Sequence, residues 1–559
     1  MKRLFGLLML ASLVFVMAGG IAAAQDGRNI LITGRQMSSS DIPTIDPALA
    51  EDVPSVQVID QIFIGLGRIN EETSAVEDGI ATLSANDDFS VLTYSIIPEV
   101  PWVRYNADSG EVEVVTDEAG NPRYVTAQDF AYAIVRGIDP MTAAPYGGVL
   151  APWIAGGREF FNGEADASAV GVRVVDTYTL EITAAQPSAV TPLVLASLWL
   201  VSAQPEWVIE EQADFWIDPA YINTYGPFAL KEWVRGDGGS LTMIRNPFWV
   251  GTPNIPQPSL DEVVFRFLDE EVQLTEFEAG TIDVAELPDT ELARVLASET
   301  LSAGYFTGPG TCTYYYGFNV ERPPFDDVRA RRAFSMAIDR DAIANDVLGA
   351  GQIPANIWTL PTLNAAPTSE DYPEIGIFSD NEAAAALWNE YLTATGQSAD
   401  SFTITLFHNE SSLHSTIAQA VQQMWAETLG VTVNIATADF ATYLDTRGNY
   451  DVFRAAWCFD YPDAHNFHYD VPFHSDLLSE NDTHWANAAY DDLIDAAFVA
   501  PTLQERTDLY AQADNILVNT EAAIAPIYYY VTNDLTQPWV TRTHSFITRE
   551  RYEKWSLNR

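Results

Sequence analysis

Between positions 460 and 484 the chain gathers side chains that bear metal-binding or proton-transfer chemistry: Asp460, Asp463, His465, His468, Asp470, His474 and His484. This stretch holds four of the protein's seven histidines. Imidazoles interleaved with carboxylates suit a transition metal. The context argues against one. His465 and His468 lie three apart in a segment rich in Pro, Asn and Asp, which reads as a loop, and loop histidines are more often solvated than ligating. No metal site is expected. Asp463 and His465 are also the one foothold for a secreted hydrolase. No phosphate-cradling P-loop, dinucleotide fingerprint, nucleophile elbow or H-E-x-x-H motif is present, so no cofactor is implied. Cys312 and Cys458 are the only cysteines; they are read either as a bridge or as two buried thiols.

Local patterns supply the elements that hold these groups. Asp129 to Arg136 reads as a helix with Thr126 as its N-cap, and Val172 to Ile182 as a hairpin. Val328 to Val347 has apolar residues at helical spacing and reads as one core-facing helix. Ser415 to Leu429 is another, closed by Gly430 and followed by a strand from Val431. Asp451 to Trp457 reads as a buried strand running into a turn at Tyr461-Pro462. Ile524 to Val531 is strand-like, with Pro526 at an edge or entry position. Thr307-Gly-Pro-Gly310 is the clearest break in the second half. Strand and helix signals alternate, as in mixed α/β domains.

A chain of 559 residues, 47% hydrophobic and 12% aromatic, is long enough for several domains and not disordered. Its 28 basic against 78 acidic residues give a formal charge of −50. Nothing in that balance displaces counterions from a nucleic acid or docks on anionic lipid, and such acidity favours a soluble monomer. Residues 1–24 read as a signal peptide: Lys2 and Arg3, an apolar run from Leu4 to Ile21, then Ala22-Ala-Ala24 before the cleavage point. Export to a periplasmic or other extracytoplasmic space, as a soluble protein, is therefore expected, and that space permits disulfides.

Six motifs carry a resemblance. They are Val125-Thr-Ala-Gln-Asp-Phe-Ala-Tyr-Ala-Ile-Val-Arg-Gly-Ile-Asp-Pro140 with Thr142-Ala-Ala-Pro-Tyr146; Gly226-Pro-Phe-Ala-Leu-Lys-Glu-Trp233 with Arg245-Asn-Pro-Phe-Trp249; Phe277-Glu-Ala-Gly-Thr-Ile-Asp283; Cys312-Thr-Tyr-Tyr-Tyr-Gly-Phe-Asn319 through Ala337-Ile-Asp-Arg340; Arg454-Ala-Ala-Trp-Cys-Phe-Asp-Tyr461; and Tyr528-Tyr-Tyr-Val531 with Pro538-Trp539. In this order, over nearly the whole chain after residue 24, they resemble the extracytoplasmic solute-binding proteins of peptide ABC transporters (family 5), with the likeness closest to the oligopeptide-binding proteins.

The resemblance implies a two-lobed, periplasmic-binding-protein-like α/β fold with three structural domains and a hinge: domain I from 25–68, 211–309 and 528–559, an inserted domain II at 69–210, and domain III, the second lobe, at 310–527. It implies a Cys312–Cys458 disulfide, a short peptide as ligand, permease subunits as partners and no enzymatic activity. Asp460 matches the position that meets the peptide ammonium. Arg454, Arg447 and His414 match positions facing the ligand carboxylate, and Glu51 another cleft position. Main chain near Asp52-Val53 and from Ala456 to Cys458 matches the segments that bond to an extended ligand. Tyr146, Tyr315, Trp457 and Tyr530 match aromatic positions around the cleft. Leu348 replaces a lysine that some oligopeptide binders use, and Phe459 a usually small residue. Relatives of this fold also carry nickel chelates, haem, opines or oligosaccharides, so a binder of another solute is the alternative.

Overall fold

The computed structural model describes residues 28–34, 37, 41–213, 215–236, 238–471, 473–475 and 481–559. The signal-peptide reading at 1–24 lies outside the described residues. Two strands organise the molecule, Tyr305–Phe318 and Ile524–Thr536. They run antiparallel to each other from Tyr305↔Leu535 to Gly317↔Ile524. At one end Ile524–Thr536 pairs with Val284–Glu286, which neighbours Ile30–Thr33, Glu262–Arg266, Ser240–Arg245 and Phe228–Val234 in turn. At the other end Tyr305–Phe318 pairs with Val452–Cys458, followed by Thr403–Asn409 and Thr432–Ala438. Each end carries its own apolar core, one including Leu31, Phe63, Trp102 and Phe265, the other Tyr316, Phe334, Trp388 and Trp425. The result is a two-lobed mixed α/β protein whose lobes share two crossing strands. A four-stranded sheet of Ala81–Ala85, Val91–Ile96, Thr179–Thr183 and Val172–Asp176 sits in the segment between the first strands.

Several local readings agree with the structure. Helix Ala127–Gly137 starts at Thr126, whose backbone and hydroxyl both donate to Asp129. Helix Ser412–Leu429 begins where Ser411 Oγ accepts the His414 amide and ends at Gly430, whose φ of 69° suits glycine. It buries Ile417, Val421, Trp425 and Leu429, each four residues on from the last. The hairpin at 172–183 is present.

One reading is corrected and two are refined. Val328 to Val347 is not one helix. Helix Val328–Met336 stops at Ala337, and Asp339 caps a new helical turn by accepting the Ala342 amide. Arg340 causes the break: fully buried, it donates to the carbonyls of Ser335, Ile338, Ala355 and Pro526, which satisfies the end of the first helix. Burial lowers its pKa to about 10. Pro526, read at an edge or entry position, is the third residue of its strand, and its one ladder partner among the described residues is Tyr315, where the ladder slips between Tyr314 and Tyr315, so its missing N–H costs little. Finally, Thr307 to Gly310, the expected boundary, lies within a continuous strand. The register shifts between Pro309 and Thr313, and a Cβ on Gly310 would stand 2.8 Å from the Tyr530 backbone, too close for any other residue without movement.

Candidate functional site

The strand Val452–Cys458 pairs along its whole length with Tyr305–Phe318, Cys312 opposite Cys458. The two cysteines form a disulfide with an S–S distance of 2.05 Å. On its other side the strand meets Thr403–Asn409 only through Val452 and Phe453. From Arg454 to Cys458 that edge has no strand partner among the described residues; the Arg454 carbonyl accepts from Tyr443 Oη, and Ala455 to Cys458 leave main-chain donors and acceptors for an added strand.

At the Cys458 end of this edge is a cavity of about 370 Å³ between the lobes. The second lobe contributes the disulfide, Phe459, Asp460 and Pro462; the facing wall includes Glu51, Val53, Tyr146, Trp199 and Arg549. Val53 opens helix Val53–Ile62, where Asp52 caps the Ser55 amide and leaves the Val53 N–H as an uncapped donor.

Asp460 is held by neutral donors. Tyr146 Oη donates to Oδ1 at 2.8 Å and Asn466 Nδ2 to Oδ2 at 3.3 Å. Burial raises its pKa, against the hydrogen bonds from Tyr146 and Asn466 and the charge of Arg549. Asn466 is the hub. Its Oδ1 accepts from Trp457 Nε1 at 2.9 Å, and its Nδ2 also donates to Asp470 at 2.9 Å. Burial, with Asp460 nearby, pushes the Asp470 carboxyl up to about 7. Asp470 and His465 line a second cavity, about 670 Å³, walled by Trp153, Tyr469 and Phe498.

The other expected residues divide into two groups. Arg454 sits on the same strand face as Cys458. Its Nη2 donates to Tyr530 Oη at 2.9 Å, its guanidinium lies 4.8 Å from the Tyr314 ring, and its Nε is buried without a partner. His414 lies close by, its ring 5.6 Å from that of Tyr314. Burial, then Arg454 and His408, push its pKa down to about 3. It is therefore a neutral imidazole, able to offer one hydrogen bond but not a charge. Arg447 instead pairs with Asp482 at 2.6 Å. Tyr315 and Trp457 point to the opposite face of the sheet, by strand alternation from Tyr314 and Cys458. Tyr315 packs in the core with Trp358 and Phe473, and Trp457 reaches the cavity only through Asn466. Leu348 lines a third cavity of about 670 Å³ whose walls carry Glu270, Glu271, Glu286 and Asp289.

The histidine segment is not a solvated loop. His465 and His468 belong to a helical turn and are buried. His468 bonds to Thr359 Oγ1 and Tyr490 Oη, and His465 to Tyr461 Oη. Burial lowers the pKa of both, that of His468 to about 3. Asp463 pairs with Arg506. Among the described residues no group of three or more His, Cys, Asp or Glu is placed to hold a metal ion, and Asp463 and His465 are committed to packing contacts. Arg549, Asn466 and Trp199 were not legible as site residues. The only available signal was the scarcity of cations, which makes any arginine outside an acidic surface cluster informative.

A cavity between two lobes joined by continuous strands is the arrangement of a protein that takes a solute between its domains. The comparisons agree. The model of bacterial extracellular solute-binding proteins, family 5 (middle), matches residues 120–476. The periplasmic oligopeptide-binding protein OppA of Escherichia coli (strain K12) is 31% identical, over 94% of this chain and 93% of that protein. The periplasmic murein peptide-binding protein MppA of the same strain is 32% identical, over 89% and 87%. The solved structure of the Escherichia coli murein tripeptide binding protein MppA superposes with a TM-score of 0.75 at 28% identity, covering 95% of this chain and 99% of that one. The chain belongs to the family-5 bacterial extracellular solute-binding proteins, which bind solutes for transport and are not enzymes. No helix among the described residues is long and apolar enough to cross a membrane.

Proposed function

We propose that this protein is the extracytoplasmic receptor of an ABC importer, and that it takes short peptides between its lobes and delivers them to permease subunits. The observation that carries this reading is Asp460: a carboxylate lining the interlobe cavity, held by Tyr146 and Asn466 and by no ion pair. A buried carboxylate left without a cation is costly, and a peptide ammonium removes that cost. From this anchor the open edge from Ala455 to Cys458 extends about 10 Å, at ~3.3 Å per residue. A peptide added as a strand gains affinity through main-chain bonds that are blind to its sequence. Arg454, supported by Tyr530 and beside neutral His414, stands at the far end to meet a carboxylate. Glu51 and the Val53 amide complete the near end. The long strands at 305–318 and 524–536 serve as the hinge, at the domain boundaries expected near 310 and 528.

Calorimetry with Ala-Ala-Ala and its N-acetylated form tests the anchor. Acetylation is expected to abolish binding, because it removes the positive charge. Equal affinity for the two forms would contradict the role of Asp460.

A further inference from the structure

Asp460 is not the only charge on this cavity. Arg549 lines the facing wall. Its Nη1 donates to the Ser197 carbonyl, and its guanidinium lies 5.4 Å from the Trp199 ring. Asp60 is 3.8 Å from Nη1, but the same Asp60 oxygen is engaged at 2.8 Å by Arg551. Arg68 is matched by Glu553 at 2.7 Å. Arg549 thus shares Asp60 with Arg551 and has no carboxylate of its own in close contact; Asp460, across the cavity, is the other acidic group its charge reaches. No described acceptor engages Arg549 Nε or Nη2, and neither is sealed off as a buried, partnerless atom. In a chain with 28 basic residues against 78 acidic ones, a guanidinium with unspent donors on a cavity wall is conspicuous.

We infer that Arg549 is a specificity-determining residue that binds a carboxylate carried next to the ligand's ammonium, so that the cavity prefers peptides whose first residue is acidic. The inference rests on the peptide reading above. Asp460 on one wall and Arg549 on the other form a pair of opposite charges. A first residue with an ammonium and a side-chain carboxylate presents the complementary pair, and a planar guanidinium suits the carboxylate. A neutral first residue offers Arg549 no carboxylate, and a basic one places like charges together.

The test is isothermal titration of the full mature chain with Asp-Ala-Ala, Asn-Ala-Ala and Ala-Ala-Ala, in the wild type, Arg549→Gln and Arg549→Lys. The wild type is expected to bind Asp-Ala-Ala about tenfold more tightly than its isostere Asn-Ala-Ala. That ratio should fall to about one in Arg549→Gln and be partly kept in Arg549→Lys. A wild-type ratio of one overturns the inference without any variant, even if Arg549→Gln fails to fold, and leaves the peptide reading intact when Ala-Ala-Ala binds. A ratio that survives in Arg549→Gln assigns the preference elsewhere and also overturns it. Failure of all three peptides to bind overturns the peptide reading itself, and this inference with it.

Discussion

Asp460 and Asp463 sit three positions apart in one motif, yet they serve different chemistry. Asp463 lies in the second lobe's interior, neutralised by Arg506 and bonded to the His465 amide. Asp460 faces the interlobe cavity and has only the neutral donors Tyr146 and Asn466. The arginines of the same strand region repeat the contrast: Arg447 pairs with Asp482, whereas Arg454 leans on neutral Tyr530 and Asn409. A charge balanced inside the protein holds the scaffold together. A charge positioned by neutral groups is still available to a ligand of opposite sign.

Breaking the scaffold member should have the largest effect. Asp463→Asn leaves Arg506 buried without a counter-charge and is expected to cost about 3–5 kcal/mol of stability, read as a drop in Tm or in the denaturant midpoint. Asp460→Asn should do the reverse. It is expected to weaken tripeptide binding about a hundredfold, roughly 3 kcal/mol, with no loss of Tm at pH 7, because it removes a carboxylate whose ionisation burial already opposes. A Tm loss in Asp460→Asn as large as that in Asp463→Asn would erase the distinction.

Asp470 sharpens it further. Its folded pKa of about 7 lies above the ordinary 3.8, chiefly because it is buried. The folded state therefore holds a proton that the unfolded state releases. Its contribution to stability is complete below pH 3.8 and is lost as pH rises towards and through 7. Asp470→Asn should remove that slope, on the order of a few kcal/mol at ~1.36 kcal/mol per pKa unit, as measured by denaturation of the ligand-free protein from pH 4 to 8. An unchanged slope would show that Asp470 ionises normally. The smallest expected effect separates the arginines. Arg454→Met should reduce the preference for a free over an amidated peptide C-terminus by about tenfold. Arg447→Met should leave that preference alone and cost at most about 1 kcal/mol of stability, since its ion pair is partly exposed.

Much of the framework could be read from local pattern. The capped helices at 127–137 and 412–429 and the hairpin at 172–183 rest on neighbours within a few residues, and the motif that holds Asp460 was visible as a motif. The failures share a cause. Val328 to Val347 looked like one helix, but Arg340 is buried against carbonyls at 355 and 526 and splits it. His465 and His468 looked solvated, but Trp153, Phe498, Thr359 and Tyr490, all distant in sequence, close over them. Tyr315 looked like a cleft aromatic, but strand alternation turns it into the core.

By itself the amino-acid sequence determined the acidic balance, the capped helices, the strand alternation and the family motifs, because each depends on residue type and short spacing. Only the tertiary structure decided which charges are already spent. Whether Asp463 finds Arg506, Arg447 finds Asp482, or Arg549 is left over beside Asp60 depends on segments tens to hundreds of residues apart. The energy of a charge is set by the partners and the water that remain around it once the chain is folded.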